Sequence, residues 1–247
     1  MEAVREKLSR ESLKAVVLCG GEGTRMRPLT LTLPKPMLPV GYKPMLEHTI
    51  GFFKEEGVYH FIFAIGYLGE MIVKYFGDGS RLGVNIEYST EENALGTGGA
   101  LKNLEKHVTS MFIAVNGDVL FRRLEIRDIL RFHKERGGIG TMVLWHAENT
   151  QRYGFVESTN KGRIEEFIEK PRDPAPGWIN AGLYVFEPQI FKYIPARKSV
   201  SLEADVFPVL VAEEKLFGYR HSGYWADVGM PQDYAKVNRD YLTETVL

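Results

Sequence analysis

Residues Ala15-Val16-Val17-Leu18-Cys19 form an unbroken apolar run that closes on Gly20-Gly21. An apolar run without polar alternation reads as a strand buried on both faces, the condition of a parallel sheet covered by helices. The chain beyond it keeps the matching rhythm. A helical pattern over 45–56, stopped by Gly57, leads to a strand at 60–65, a helix at 69–76 and a strand at 84–88. A helix over 98–106, a strand over 111–115 ending in Asn116-Gly117-Asp118, a helix over 124–135 and a strand over 141–146 continue it. Strands alternating with helices at this spacing predict an α/β chain with a doubly wound, Rossmann-like, mostly parallel sheet.

Beyond about residue 150 the pattern shortens to strands at 155–157, 164–169 and 181–186 between Gly, Pro, Asn and Asp turns. This predicts a mixed or antiparallel C-terminal extension, followed by helices over 202–214 and 231–242, the latter with Pro231 suited to a first helical turn. Residues 1–13 are charged with apolar residues at helical spacing, which predicts a short helix with no assigned chemistry. No internal repeat or long linker interrupts the chain, so a single domain is expected, with one half at 1–150 and the other at 151–247. With 44% hydrophobic residues the chain can bury a sizeable core. One cysteine, Cys19, makes no internal disulfide, and neither a leader pattern nor a long uncharged apolar run is present. The expectation is therefore a cytoplasmic protein with no membrane partner. Lys plus Arg number 31 against 32 Asp plus Glu, a balance that argues against nucleic acid as a partner. Any anionic ligand must be held by charges placed locally.

The segment from Leu18 through Gly20, Gly21, Gly23 and Thr24 to Arg25 puts three glycines directly after a buried strand, where absent side chains let phosphate oxygens approach backbone N–H groups. Met26 stands where a dinucleotide fingerprint needs its third glycine, and no Gly-Lys-Ser/Thr ends the loop, so neither a dehydrogenase motif nor a P-loop is present. Arg25, Arg27 and Lys35 lie within eleven residues, among prolines 28, 34, 36 and 39 that prevent an ordinary charged helix. Asp118 ends an apolar strand, at the edge where open α/β sheets bind ligands, and its hard oxygens suit Mg²⁺.

These residues, L-C-G-G-E-G-T-R-M-R-P-L-T with L-P-K-P-M-L-P-V and K-P-M-L-E, resemble the N-terminal signature of the sugar-1-phosphate nucleotidylyltransferases. The resemblance continues through L-G-T-G-G-A at 95–100, N-G-D at 116–118, F-I-E-K-P at 167–171, N-A-G-L-Y at 180–184 and Y-W-A-D-V-G at 224–229. It implies an enzyme that joins a nucleoside triphosphate to a sugar 1-phosphate with Mg²⁺. Arg25 and Lys35 match the family's phosphate-binding pair, with Arg27 a weaker match. Asp118 and Asp227 match its metal carboxylates, and Arg25, Lys35 and Asp118 together its catalytic group. The segment 96–99, led by Gly96, matches one that lies against the nucleobase, with Glu91 or Glu92 as a hydrogen-bond acceptor. Gly154, Glu169, Lys170 and Asn180 match sugar-phosphate positions, and Trp225 is either a pocket wall or core. Lys35-Pro36-Met37-Leu38-Pro39-Val40 with Leu95-Gly96-Thr97 looks most like the mannose-1-phosphate guanylyltransferase branch, which points to GTP and mannose 1-phosphate. Many members of that branch continue into a β-helix of hexapeptide repeats, for which this sequence shows no pattern.

The residue types agree with that chemistry. A sugar phosphate, with a second pKa of about 6, is already an anionic nucleophile near neutral pH, so no base is required. The obstacle is repulsion, about 4 kcal/mol for each unit-charge pair about 4 Å apart at an effective dielectric near 20. Cations should therefore dominate, and catalysis should be positioning plus charge stabilisation. A glucose-1-phosphate uridylyl-, cytidylyl- or thymidylyltransferase is the nearest alternative, and a non-catalytic regulatory subunit is an alternative of another class. The six histidines show no metal-ligand spacing, and Cys19 reads as a buried strand residue. A homo-oligomer is compatible with the sequence.

Overall fold

The computed structural model describes residues 13–91, 93–173, 175–196 and 198–243. The helix expected over 1–13 lies outside them except for Leu13, which is buried. Strand β1 (Lys14–Cys19) is followed by the short pair β2 (Pro39–Val40) and β3 (Lys43–Pro44), then α1 (Met45–Glu55), β4 (His60–Ile65), α2 (Gly69–Phe76), β5 (Asn85–Thr90) and α3 (Gly96–Lys102). The chain continues through β6 (Phe112–Asn116), β7 (Val119–Phe121), α4 (Ile126–Arg136), β8 (Gly140–Ala147), β9 (Gly154–Ser158), β10 (Ile164–Glu169) and β11 (Gly177–Phe186). A π-helical turn (Leu202–Val206) leads into α5 (Phe207–Ala212), followed by β12 (Leu216–His221), β13 (Trp225–Asp227) and α6 (Pro231–Leu242).

Two compact units result. Unit one is Met1–Ala94, Val115–Arg123 and Gly223–Leu247; unit two is Leu95–Ala114 and Leu124–Ser222. In unit one β1 pairs in parallel with β4, Lys14 opposite His60 through Cys19 opposite Ile65, and β4 pairs in parallel with β5. The apolar run that opens the chain is thus a central strand, its Ala15, Val16 and Val17 fully buried. Helix α1 turns Met45, Leu46, Thr49, Ile50, Phe52 and Phe53 inward at i, i+4 spacing. Phe53, Phe61, Phe63 and Phe76 then form an edge-to-face chain with centroids 5.8–6.3 Å apart. Each such ring contributes about 2 kcal/mol by leaving water.

Unit two is mixed. Strand β8 pairs antiparallel with β11 and parallel with β12, while β9 pairs antiparallel with both β10 and β11. The Rossmann-like α/β class and the mixed extension are both present. Sequence periodicity misses β12 and β13, and it makes one helix of 202–214. Pro208 has no N–H for a regular helical bond, and the chain there makes a wide turn in which Phe207 N–H donates to the Leu202 carbonyl. Among the described residues no helix is long and apolar enough to cross a membrane.

One buried and one half-buried histidine make stability pH-dependent. His133, in unit two, lies 2.8 Å from the Thr141 hydroxyl and 3.5 Å from Glu187, and burial holds its pKa below the ordinary value even though Glu187 pulls the other way. His48, in unit one, is lowered by burial as well. A folded-state pKa below the unfolded one means that the unfolded chain binds the extra proton first. The stability these rings contribute is therefore complete above about pH 6.5 and lost as pH falls through the folded values. Thermal melts taken from pH 7.5 to 5 should show the midpoint falling, and His133→Gln should flatten part of that slope; an unchanged slope in the variant would remove His133 as its source.

Candidate functional site

In unit one the chain leaves β1 at Cys19 and turns at Gly20, whose carbonyl accepts from Tyr67 N–H at 3.1 Å. The Glu91 carboxylate lies over this turn, its Oε1 within 3.0 Å of the place a side chain on Gly20 would occupy. Gly21 is open, and Gly23 is left-handed at φ 61°, its carbonyl accepting from Met26 N–H and from the Thr30 hydroxyl, both at 2.8 Å. Thr24 opens a single 3₁₀ turn whose third residue, Met26, is buried in the cluster formed by Leu38, Val40, Met45, Ala226, Val228 and Val237. Anchored by Met26, this turn leaves Arg25 exposed.

The three cations of the segment have different fates. Arg27 makes an exposed ion pair with Glu22 at 3.0 Å, an arrangement worth little in water. Lys35 extends from a proline-framed 3₁₀ turn and its ammonium pairs with Asp118 Oδ2, both side chains mostly buried at 15% and 21% exposure. Arg25 has no carboxylate partner among the described residues.

Asp118 is positioned by backbone alone. Gly117 N–H donates to the Leu18 carbonyl at 2.9 Å, and a Cβ on Gly117 would stand 3.0 Å from Cys19 Cβ, 3.1 Å from Leu18 O and 3.2 Å from Pro36 Cγ. Only glycine allows the chain to pass so close to β1 and to the Lys35 turn. On the other side β7 pairs antiparallel with β13, Val119 opposite Asp227, and Val228 N–H donates to the Asp118 carbonyl at 2.9 Å. That ladder brings the backbone of Asp227, 109 positions further along the chain, to the position next to Asp118. Asn116, one residue before Gly117, keeps its Oδ1 buried without a hydrogen-bond partner. Among the described residues no cluster of three or more His, Cys, Asp or Glu is placed to hold a metal ion. Burial pushes the Cys19 thiol far up, and the Glu91 charge pushes it further, so it stays neutral and is no nucleophile.

In unit two the candidate sugar-side residues meet across three strands. Gly154 stands opposite Glu169 on β10, and Phe155 opposite Ile179 on β11, which sets Asn180 at the same end of the sheet as Gly154. Asn180 is held at both ends of its amide: Nδ2 donates to the Tyr184 hydroxyl at 2.8 Å and Oδ1 accepts from Gly182 N–H at 3.0 Å, within an irregularity of the β8–β11 ladder. Lys170 adopts a left-handed backbone, φ 51°, rare for a side-chain-bearing residue, fixed by its N–H to the Tyr153 carbonyl at 3.0 Å. Its ammonium lies 3.2 Å from Glu169 Oε1 and is well exposed. Gly96 opens α3, and Trp225, in unit one, is buried. Glu92 lies outside the described residues.

Spacing in the sequence could not reveal the Lys35–Asp118 pair, which joins positions 83 apart. It also passes over Tyr67, whose hydroxyl donates to the Thr30 carbonyl at 3.0 Å and steadies the loop after Arg25. A tyrosine following Ile65-Gly66 carries no signal of that role.

Comparison with known proteins shows the family. Residues 14–244 match the family model described as nucleotidyl transferase. The chain is 39% identical over 238 residues to a mannose-1-phosphate guanylyltransferase of Mycobacterium tuberculosis, covering 95% of this chain and 66% of that protein. It is 37% identical over 236 residues to a mannose-1-phosphate guanyltransferase of Saccharomyces cerevisiae, covering 93% and 65%. The chain therefore spans about two thirds of the length of these relatives. The crystal structure of HddC from Yersinia pseudotuberculosis complexed with GMP-PN is similar at a TM-score of 0.79 and 26% identity, covering 93% of this chain and 99% of that one.

Proposed function

The chain belongs to the nucleotidyl transferase family, and we propose from that premise that it joins GTP to mannose 1-phosphate, giving GDP-mannose and pyrophosphate. The observation that carries the reading is the largely buried Lys35–Asp118 pair, held next to the end of β1, the strand that closes on the glycine turn. In this reading a sugar-phosphate oxygen forms the new bond to the α-phosphorus. The bond from that phosphorus to the α–β bridging oxygen breaks, and its electrons leave on pyrophosphate. The nucleophile is already ionised, so unit one needs no base and supplies cations instead. Arg25, exposed and without a carboxylate partner among the described residues, meets the triphosphate. Lys35, oriented by Asp118, balances charge on the departing pyrophosphate. In unit two Lys170 meets the sugar phosphate, while Glu169, Gly154 and Asn180 contact the sugar.

Asp118 and Asp227 fit a Mg²⁺ ion. This cation binds through one or two carboxylates and completes its octahedron with water and substrate phosphates, and the β7–β13 ladder brings the backbones of these two acids to neighbouring positions. When bound, it would neutralise phosphate charge. The matched relatives favour guanine and mannose, and the GMP-PN complex of HddC fits a guanine base.

The test is pyrophosphate release in a panel of GTP, ATP, UTP, CTP and dTTP against mannose, glucose and N-acetylglucosamine 1-phosphates. GTP with mannose 1-phosphate should exceed every other pair. Faster turnover of glucose 1-phosphate with a pyrimidine triphosphate would replace the substrate assignment, and no Mg²⁺-dependent turnover with any pair would favour the regulatory-subunit alternative. Within the same panel Lys170→Ala should raise KM for mannose 1-phosphate about tenfold or more, the loss of one charge-assisted contact, with KM for GTP within about twofold. Equal losses for both substrates would point to general damage.

A further inference from the structure

In unit two the glycine-rich start of α3 is clasped by a later stretch of the same chain. Gly96 has φ 71°, and a Cβ there would stand 2.5 Å from the Val200 carbonyl oxygen. That carbonyl accepts from Gly98 N–H at 2.8 Å and Gly99 N–H at 3.3 Å, and Val200 N–H returns a bond to the Leu95 carbonyl at 2.8 Å. The α3 amides at 98 and 99 are thus already used. The Thr97 hydroxyl of this turn is fixed by one backbone amide and one side chain. It accepts from Leu202 N–H at 2.9 Å and donates to Glu203 Oε2 at 2.7 Å. The same Oε2 accepts from the Ser201 hydroxyl at 2.7 Å, while Ser201 Oγ receives the N–H groups of Glu203 and Ala204 at 3.1 Å.

One carboxylate oxygen therefore collects two hydroxyl protons and sets the direction of both. The other, Oε1, has no hydrogen-bond partner among the described residues. Glu203 is half-buried on a π-helical turn, a rare element that is frequent at functional sites. A purely capping role would need no carboxylate, because Ser201 Oγ already satisfies two orphan amides of this turn. Thr97 adds the amide that Ser201 leaves, Leu202 N–H, but its own proton goes to Glu203, a bond the cap does not need. It ties the π-helical turn to residues 96–99, the segment that matches the family's nucleobase-facing stretch.

We infer that Glu203 is a positioning residue for base selection: by holding the Thr97 hydroxyl it fixes the conformation of the 96–99 turn, and with it which triphosphate is accepted. The inference rests on the nucleotidyl-transfer reading. Glu203→Ala removes the acceptor and should raise KM for GTP about tenfold with kcat within about threefold, and should lower the preference for GTP over ATP by a similar factor. Glu203→Gln keeps an acceptor oxygen and should restore both to within about threefold of the native enzyme. Thr97→Ser should behave as native, and Thr97→Val should reproduce Glu203→Ala.

The measurement is initial pyrophosphate release at varied GTP and ATP, with the melting midpoint of each variant recorded alongside. A lowered midpoint in Glu203→Ala with unchanged KM and base preference would reduce Glu203 to a helix cap and overturn the inference. So would a Glu203→Gln variant as impaired as Glu203→Ala. If Glu203→Ala does not fold, Thr97→Val decides by the same two quantities. Native protein that turns over no triphosphate takes down the underlying reading, whereas active native protein with indifferent variants takes down only the role of Glu203.

Discussion

Asp118→Asn is expected to lower kcat/KM with GTP and mannose 1-phosphate by about a thousandfold, roughly 4 kcal/mol of transition-state stabilisation, while the fold persists. The substitution keeps size and shape, and the backbone bonds that place residue 118 do not involve its side chain: Gly117 N–H still reaches Leu18 O, and Val228 N–H still reaches the 118 carbonyl. What disappears is the charge. Lys35 loses the carboxylate that orients its ammonium in a largely buried position, and the pair of acids suited to Mg²⁺ is reduced to Asp227. The check is kcat and KM across a Mg²⁺ titration, with circular dichroism and a melting curve to confirm folding. Activity within tenfold of native would remove Asp118 from the metal site. The double variant Asp118→Asn with Lys35→Met should lose much less than the sum of the two single losses, because the residues act as one unit. Additive losses would mean that they act separately.

Gly96→Ala is expected to be the most damaging single-methyl change in unit two, about 3 kcal/mol, or near 10 °C in melting midpoint for a chain of this size. About 1–2 kcal/mol of that is the left-handed backbone. The rest is the clash of the new Cβ with the Val200 carbonyl, which cannot retreat while it accepts two α3 amides. Gly137→Ala separates the two costs. Gly137 ends α4 with nearly the same backbone, φ 65°, yet a Cβ there would meet nothing within 4 Å, so it should lose only about 1 kcal/mol. Urea midpoints that are equal for the two variants would show that the Val200 contact has no energetic weight.

The parts of this fold that were legible in the sequence are those whose signal is local. Continuous apolar runs marked β1, β4 and β6, and 3.6-residue spacing marked α1, α2, α4 and α6, because burial on one or two faces writes itself into neighbouring residues. Strand β12 escaped because Gly218 interrupts it and Arg220 is exposed, and β13 because three residues are too few to show a period. The wide turn at Leu202–Val206 escaped because a proline six residues into an apolar pattern disturbs hydrogen bonding without disturbing the pattern. In the candidate site, residue types suggested which groups bear charge, and the motif resemblance suggested their roles. Pairing was not legible. Lys35 with Asp118, Asp227 beside Asp118 and Glu203 with Thr97 all join positions far apart in the chain, and each depends on a strand ladder or turn that no local pattern encodes.

The interleaving of the two units carries a consequence for biosynthesis. Synthesis delivers the residues of unit two, 95–114 and 124–222, before the third stretch of unit one has been made. A ribosome paused at Ser222 has therefore translated a complete second unit, along with a first unit that holds the glycine turn, Lys35 and Asp118 but lacks β13, α6 and Asp227. The unit begun first is finished last. A nascent chain thus cannot assemble both carboxylates until the stretch that starts at Gly223 has emerged and β13 has paired with β7, and that stretch decides when the molecule becomes competent.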